Sequence, residues 1–185
     1  MFTRVFDSHS HQSEIFDHSA APMLRRFMDG ENCVIFAYGM TNAGKTHTIQ
    51  GTAANPGILP RLVSAILDKK VHHAHTELHV SALEIYQENI YDLLGKRREK
   101  LNIRDAGGKV EVSKLSYHMI SSTQDAFKLM DIAAAKRSKS STFLNTGSSR
   151  SHAVYTLTLS KPSADGKEMH TVAFQLVDLA GAERG

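Results

Sequence analysis

Gly39-Met40-Thr41-Asn42-Ala43-Gly44-Lys45-Thr46 spells G-x-x-x-x-G-K-T, and the reading of this stretch decides the fold class. Glycines at both ends let the backbone curl round an anion with no Cβ in the way, so that amides from about Asn42 to Thr46 face inward. Lys45 brings a positive charge toward the β- and γ-phosphates, and the Thr46 hydroxyl is a hard oxygen ligand for Mg²⁺. The whole stretch 39–46 is therefore assigned to a phosphate cradle. Upstream, Cys33-Val34-Ile35-Phe36-Ala37-Tyr38 is a short apolar run of the kind expected for a strand buried on both faces. Downstream, Thr46-His47-Thr48-Ile49-Gln50 opens a helix that Gly51 stops. Strand, loop and helix follow in the order the motif requires, and the ligand class they imply is a nucleoside triphosphate, ATP or GTP.

Two further motifs turn a generic nucleotide binder into a switch. Asn145-Thr146-Gly147-Ser148-Ser149-Arg150-Ser151-His152 is a polar stretch between a helix and a strand, dense in hydroxyls and carrying one cation, suited to sensing a γ-phosphate. Asp178-Leu179-Ala180-Gly181-Ala182-Glu183 follows the apolar run 172–177, the place where P-loop proteins carry the aspartate that holds Mg²⁺, directly or through water. Gly181 can bring its amide to the γ-phosphate.

Composition frames this site in one intracellular globular domain of 185 residues, 41% hydrophobic and 22% charged. No apolar run approaches membrane-spanning length, no signal peptide follows Met1, and the single cysteine, Cys33, reads as a small buried hydrophobe. Among the eleven histidines, His9/His11 and His72/His73/His75 lack a partner at metal-ligand spacing and read as solvated loop residues. A net charge of +3 is compatible with an acidic partner surface.

The elements alternate, which argues α/β. Residues 13–28 have helical apolar spacing, with Pro22 a kink or restart. A turn at Asn55-Pro56-Gly57 precedes a helix over 59–70, with Pro60 in its first turn. Residues 76–86 read as a strand, and 102–119 as short strands around Gly107-Gly108. Ser122 and Asp125 resemble a capping box that opens a helix to about residue 138, with Phe127, Met130, Ala133 and Ala134 as its buried stripe. The runs 153–160 and 170–177 form a hairpin joined by 161–166.

On these residues the chain resembles the kinesin motor domain. Phe36-Ala37-Tyr38-Gly39 through Thr48 is similar to the family's F-A-Y-G-Q-T-G-x-G-K-T-x-T, Asn145 to His152 to its N-x-x-S-S-R-S-H first switch, and Val177 to Glu183 to its V-D-L-A-G-S-E second switch. Glu84-Ile85-Tyr86-Gln87-Glu88-Asn89-Ile90-Tyr91-Asp92-Leu93-Leu94 resembles a further family stretch. Met40, Asn42 and Ala182 depart from the pattern without removing a phosphate or metal ligand. The Thr41-Asn42 pair, with the segments 48–52 and 57–61, looks most like the mitotic kinesin-6 branch.

The resemblance implies a P-loop NTPase core in which helices flank a central, mostly parallel mixed sheet. It also implies that the chain is truncated at both ends, without the segment that walls the adenine or the relay helix, main tubulin-binding loop, last strand and neck linker. The implied function is Mg-ATP hydrolysis coupled to microtubule binding and movement. Thr46, Ser149 and Asp178 would hold Mg²⁺; Asn145, Ser148 and Ser151 would shape the first switch. Arg150 and Glu183 would pair across the closed site, with Glu183 relaying the attacking water's proton and Gly181 reaching the γ-phosphate.

The implied partner is tubulin, met by the segment 109–118, with neither nucleic acid nor membrane as partner and a parent dimeric through a stalk absent here. The implied location is the cytoplasmic microtubule cytoskeleton, including the mitotic spindle. Basic groups Lys96-Arg97-Arg98 and Lys136-Arg137-Lys139 either add attraction to acidic tubulin or are solvated loop and helix-end charges. Two other readings stay open: another P-loop switch such as a GTPase, against which stand the spacing from Lys45 to Asp178 and the lack of an N-K-x-D motif, and a catalytically silent scaffold.

Overall fold

The computed structural model describes residues 2–70, 76–108, 110–142, 150–163 and 169–183. The helices are α1 (Gln12–Ser19), α2 (Ala21–Met28), α3 (Lys45–Ile49), α4 (Ile58–Lys70) and α5 (Thr123–Thr142). The strands are β1 (Cys33–Ala37), β2 (Glu77–Tyr86), β3 (Asn89–Asp92), β4 (Lys100–Leu101), β5 (Ile103–Asp105), β6 (Val110–Val112), β7 (His118–Met119), β8 (His152–Pro162) and β9 (Met169–Asp178). Among the described residues no helix is long and apolar enough to cross a membrane.

A seven-stranded sheet runs β1-β9-β8-β2-β3-β4, with β7 added against β2, while β5 and β6 make a separate hairpin. The sheet is mixed, as expected, but its balance differs from a mostly parallel one. Among the described strands only β1 and β9 pair in parallel, and every other pairing is antiparallel. The reason is connectivity: β2–β3 and β8–β9 follow one another directly, and short connections force antiparallel neighbours. The parallel pair matters most for the site. Its register sets Ala37 beside Asp178, so the chain enters the phosphate loop from β1 at the same sheet end where β9 delivers its aspartate. In α/β sheets that carboxyl end is where ligands bind.

Alternate residues of each strand face one helical layer. Leu78, Val80 and Ala82 of β2, Ala153, Tyr155, Leu157 and Leu159 of β8, and Phe174 and Leu176 of β9 pack with Phe27, Ile49, Leu62, Ile66 and Met130. Phe27 meets Phe174 edge-on, with ring centroids 5.6 Å apart. Each such buried leucine or phenylalanine contributes roughly 1.5–3 kcal/mol relative to exposure. A smaller cluster of Leu83, Ile90 and Leu101, with Val112 and Leu115 against it, forms beneath the β5–β6 end.

Two expectations change, and one alternative is decided. β1 is not buried on both faces: Val34 and Phe36 are 40% and 62% exposed, because among the described residues the helices pack on its other face. Of the kink or restart expected at Pro22, the structure has the restart: two helices broken at Ala20, with Pro22 in the first turn of the second, where its missing N–H costs nothing. The stripe of α5 is Ala126, Met130, Ala133 and Arg137. Phe127 is half-buried and Ala134 exposed, so the face is rotated by one residue toward an arginine that a hydropathy pattern counts as outward. The capping box itself is present: Ser122 Oγ accepts from the Asp125 amide at 3.1 Å, and the Asp125 carboxylate accepts from the Ser122 amide at 3.0 Å. The helix runs beyond residue 138 to Thr142. Cys33 is buried, and burial pushes its thiol pKa up, in line with an inert packing role.

The end of α3 crosses the start of α4 at Gly51 and Gly57, where backbones touch. Gly51 has φ +66°, and a Cβ there would overlap Asn55 O and Gly57 N. Gly51→Ala is expected to lower stability by at least the roughly 1–3 kcal/mol of a strained backbone position, read as a fall in the urea midpoint, and to shift α3 beneath the phosphate loop.

Candidate functional site

The site is built on the paired ends of β1 and β9. Beyond the ladder, the Leu179 amide donates to Ala37 O at 3.2 Å and the Ala182 amide to Gly39 O at 3.1 Å, so the stretch 178–183 lies along the phosphate loop. The loop turns through positive φ at Gly39 (152°), Asn42 (62°) and Gly44 (89°). Asn42 occupies a left-handed position that asparagine tolerates, which explains how it stands where the family pattern has glycine. Gly44 leads directly into α3, whose first amides have no partner within the helix. Within the cradle the Ala43 amide is already engaged, donating back to Met40 O at 3.2 Å.

A cavity of about 260 Å³ opens here, lined by Thr41, Asn42, Gly44, Lys45, Thr46, His47, Asp178 and Leu179. Lys45 Nζ donates to Gly39 O at 2.8 Å and Met40 O at 2.7 Å, folding back over the loop's own carbonyls. Thr46 Oγ1 donates to Asp178 Oδ2 at 2.7 Å. Asp178 is 1% exposed, and its other oxygen, Oδ1, is buried without a hydrogen-bond partner among the described residues. An acceptor left bare beside a threonine hydroxyl fits a Mg²⁺ ion, which characteristically uses one or two carboxylates together with substrate phosphates and waters. No group of three or more His, Cys, Asp or Glu suited to a metal occurs among the described residues.

Glu183 reaches across to accept a hydrogen bond from the Thr41 amide. Its carboxyl pKa is lowered, first by hydrogen bonds from Thr41 and further by the Lys45 charge. Gly181 is required for this approach, since a Cβ there would overlap the Glu183 carboxylate and Thr41 Oγ1. Arg150 is exposed, and no Arg150–Glu183 ion pair occurs among the described residues. Ser151 is fully buried. Asn145, Ser148 and Ser149 lie outside the described residues.

Sequence reasoning missed two participants. Arg137, 5% exposed on α5, donates Nη1 to Asp178 Oδ2 at 2.5 Å and Nη2 to Ser151 O at 2.8 Å. It is thus no surface charge for an acidic partner. Its signal was an arginine eleven residues beyond Ala126, on the buried face of the helix. His152, quoted only as part of a motif, accepts the Ala180 amide on Nδ1 at 3.0 Å and so ties the two switch stretches together.

A family model of the kinesin motor domain matches residues 1–185. The chain belongs to this family. It is 36% identical over 190 residues to mouse kinesin-like protein KIF18A, covering 100% of this chain and 21% of that protein. It is 39% identical over 194 residues to kinesin-like protein 5 of Schizosaccharomyces pombe, covering 99% and 22% respectively. Among solved structures, one described as a fast kinesin superposes with a TM-score of 0.91 at 34% identity, over 99% of this chain and 54% of that one. The kinesin chain thus spans about a fifth of the length of these curated relatives.

Because folding lowers the Glu183 pKa, the contact with Thr41 is present above the usual value of 4.5 and is lost as pH falls through the lower folded value. The Thr41 amide resonance is therefore expected to titrate with a midpoint below 4.5. Glu183→Gln should abolish that titration; a midpoint at the ordinary glutamate value would contradict the contact.

Proposed function

We propose that the chain is the nucleotide-binding portion of a kinesin motor that binds and hydrolyses Mg-ATP, coupled to microtubule binding and movement. The observation that carries this reading is the cavity between the phosphate loop and Asp178, formed by the parallel ends of β1 and β9. Lys45 exchanges the carbonyls of Gly39 and Met40 for phosphate oxygens, and the amides at the start of α3 hold the same anion. Thr46 and Asp178 would hold Mg²⁺. Once bound, that ion would neutralise charge on the β- and γ-phosphates.

Arg150 and Glu183 act as a latch. With Glu183 on Thr41 and Arg150 in solvent, the site is open; closure brings them together and frees Glu183 to take the attacking water's proton through a second water. Asn145, Ser148 and Ser149 complete the first switch in this reading, Ser149 joining Thr46 and Asp178 at the metal, and Gly181 offers its amide to the γ-phosphate.

Tubulin is the proposed partner, and a microtubule location follows from it. The segment around β5, β6 and β7 supports the reading through apolar exposure unusual for a solvated hairpin: Ile103, Val110, Tyr117 and Met119 are all more than half exposed. Of the basic groups, Arg98 is engaged by Glu84 at 3.1 Å and lies over the Tyr91 ring, and Lys136 donates to Gly95 O. Lys96 and Arg97 line an open cavity with Lys114 and are the better placed for an acidic surface. The Lys139 side chain lies outside the described residues.

Lys45→Ala is expected to abolish binding of a fluorescent ATP analogue, and the parent should prefer it to the GTP analogue. Unchanged affinity would sink the loop assignment. Arg150→Ala and Glu183→Ala should each leave nucleotide affinity within about threefold while cutting microtubule-stimulated hydrolysis by roughly 10²–10⁴, the range for loss of an acid–base group. Parental turnover in either variant would show that the latch is not needed.

A further inference from the structure

Asp178 is held by two donors on one oxygen. Thr46 Oγ1 and Arg137 Nη1 both approach Oδ2, at 2.7 Å and 2.5 Å, while Oδ1 has no partner among the described residues and Asp178 lines the nucleotide cavity. A carboxylate so deeply withdrawn from water needs a charged partner. The planar guanidinium, unlike an ammonium, also fixes the plane in which that partner sits.

The same guanidinium grips the first switch stretch where it enters β8. Nη2 donates to Ser151 O at 2.8 Å, and Nε donates to Ser151 Oγ at 3.3 Å. Ser151 is fully buried, so these bonds are made in a site that water does not reach. Arg137 stands on α5, outside the phosphate loop and both switch stretches, yet it touches one end of each switch.

We propose that Arg137 is a positioning residue of the metal site. It fixes the orientation of the Asp178 carboxylate at the wall of the nucleotide cavity by holding Oδ2, and through Ser151 it locks that orientation to the position of the first switch. This rests on the reading of Thr46 and Asp178 as the Mg²⁺ ligands. The sign of its effect is distinctive. A cation acting only by its charge would repel Mg²⁺, so removing it would tighten metal retention; a group that aims a ligand loosens retention when removed.

The test measures the Mg²⁺ concentration that half-retains a fluorescent ADP analogue on the purified protein, titrating metal against chelator, with a thermal melt on each sample. Arg137→Lys keeps a charge beside Asp178 but cannot span Asp178 and both Ser151 atoms, and it should raise that concentration about threefold or more. Arg137→Gln should raise it at least tenfold. A half-point that is unchanged or lowered in the lysine variant overturns the proposal, whatever happens to its melting temperature. If the glutamine variant does not melt cooperatively, the lysine variant alone decides. Ser151→Ala, which removes the contact to Nε and leaves the one to the carbonyl, should give a smaller rise in the same direction, and no rise would remove the link to the first switch. Failure of the underlying reading looks different: the parent itself would then retain nucleotide equally with and without Mg²⁺.

Discussion

The arrangement depends on one buried carboxylate. Asp178 sits at the end of β9 with a hydroxyl and a guanidinium on one oxygen and, among the described residues, no partner on the other. Leaving either charge of such a pair without its partner costs about 3–5 kcal/mol, so α3, α5 and β9 are held in mutual register by the need to keep Asp178 satisfied. In the proposed reading, the Asp178 oxygen that has no partner among the described residues is the one a metal would take up.

The parallel pairing of β1 with β9 brings the carboxylate to the loop. Had these strands run antiparallel, Asp178 would end at the opposite edge from Gly39. The ladder continues past the strands, from Leu179 to Ala37 and from Ala182 to Gly39, and this fixes the second switch stretch along the phosphate loop before any ligand arrives. Around that frame the antiparallel β2, β8 and β9 supply the rigid inner face on which α2, α4 and α5 pack.

Some polar groups of the loop are engaged by the protein itself. Lys45 covers two carbonyls and Glu183 takes the Thr41 amide. A triphosphate therefore exchanges hydrogen bonds rather than simply adding them, and a net charge change accompanies the exchange. In the proposed reading, Glu183, an anion at the rim of an anion site, would leave as the phosphates enter. That displacement would give a direct physical route from nucleotide binding to movement of the stretch that carries it, with Gly181 as the point of close contact and His152 coupling the motion to the other switch.

Much of this was legible in the sequence, because the constraints are local. The loop 39–46 needs glycine where φ is positive and a lysine and threonine at fixed offsets; the capping box at Ser122 and Asp125 and the break near Pro22 are equally short-range. The apolar alternation of β8 and β9 gave the hairpin. What the sequence alone could not settle was set by neighbours far along the chain. The exposed outer face of β1 reflects which elements pack over it, and an apolar run reads the same whether both faces or one is covered. The turn at Gln87 and Glu88 takes positive φ without any glycine to announce it, held by the β2–β3 ladder. Arg137 looked like a solvated helix-end charge because charge and position on the helix were all that could be read. Only the packing of α5 on the sheet turned it inward, where a buried aspartate forty-one residues away made burial of a guanidinium favourable.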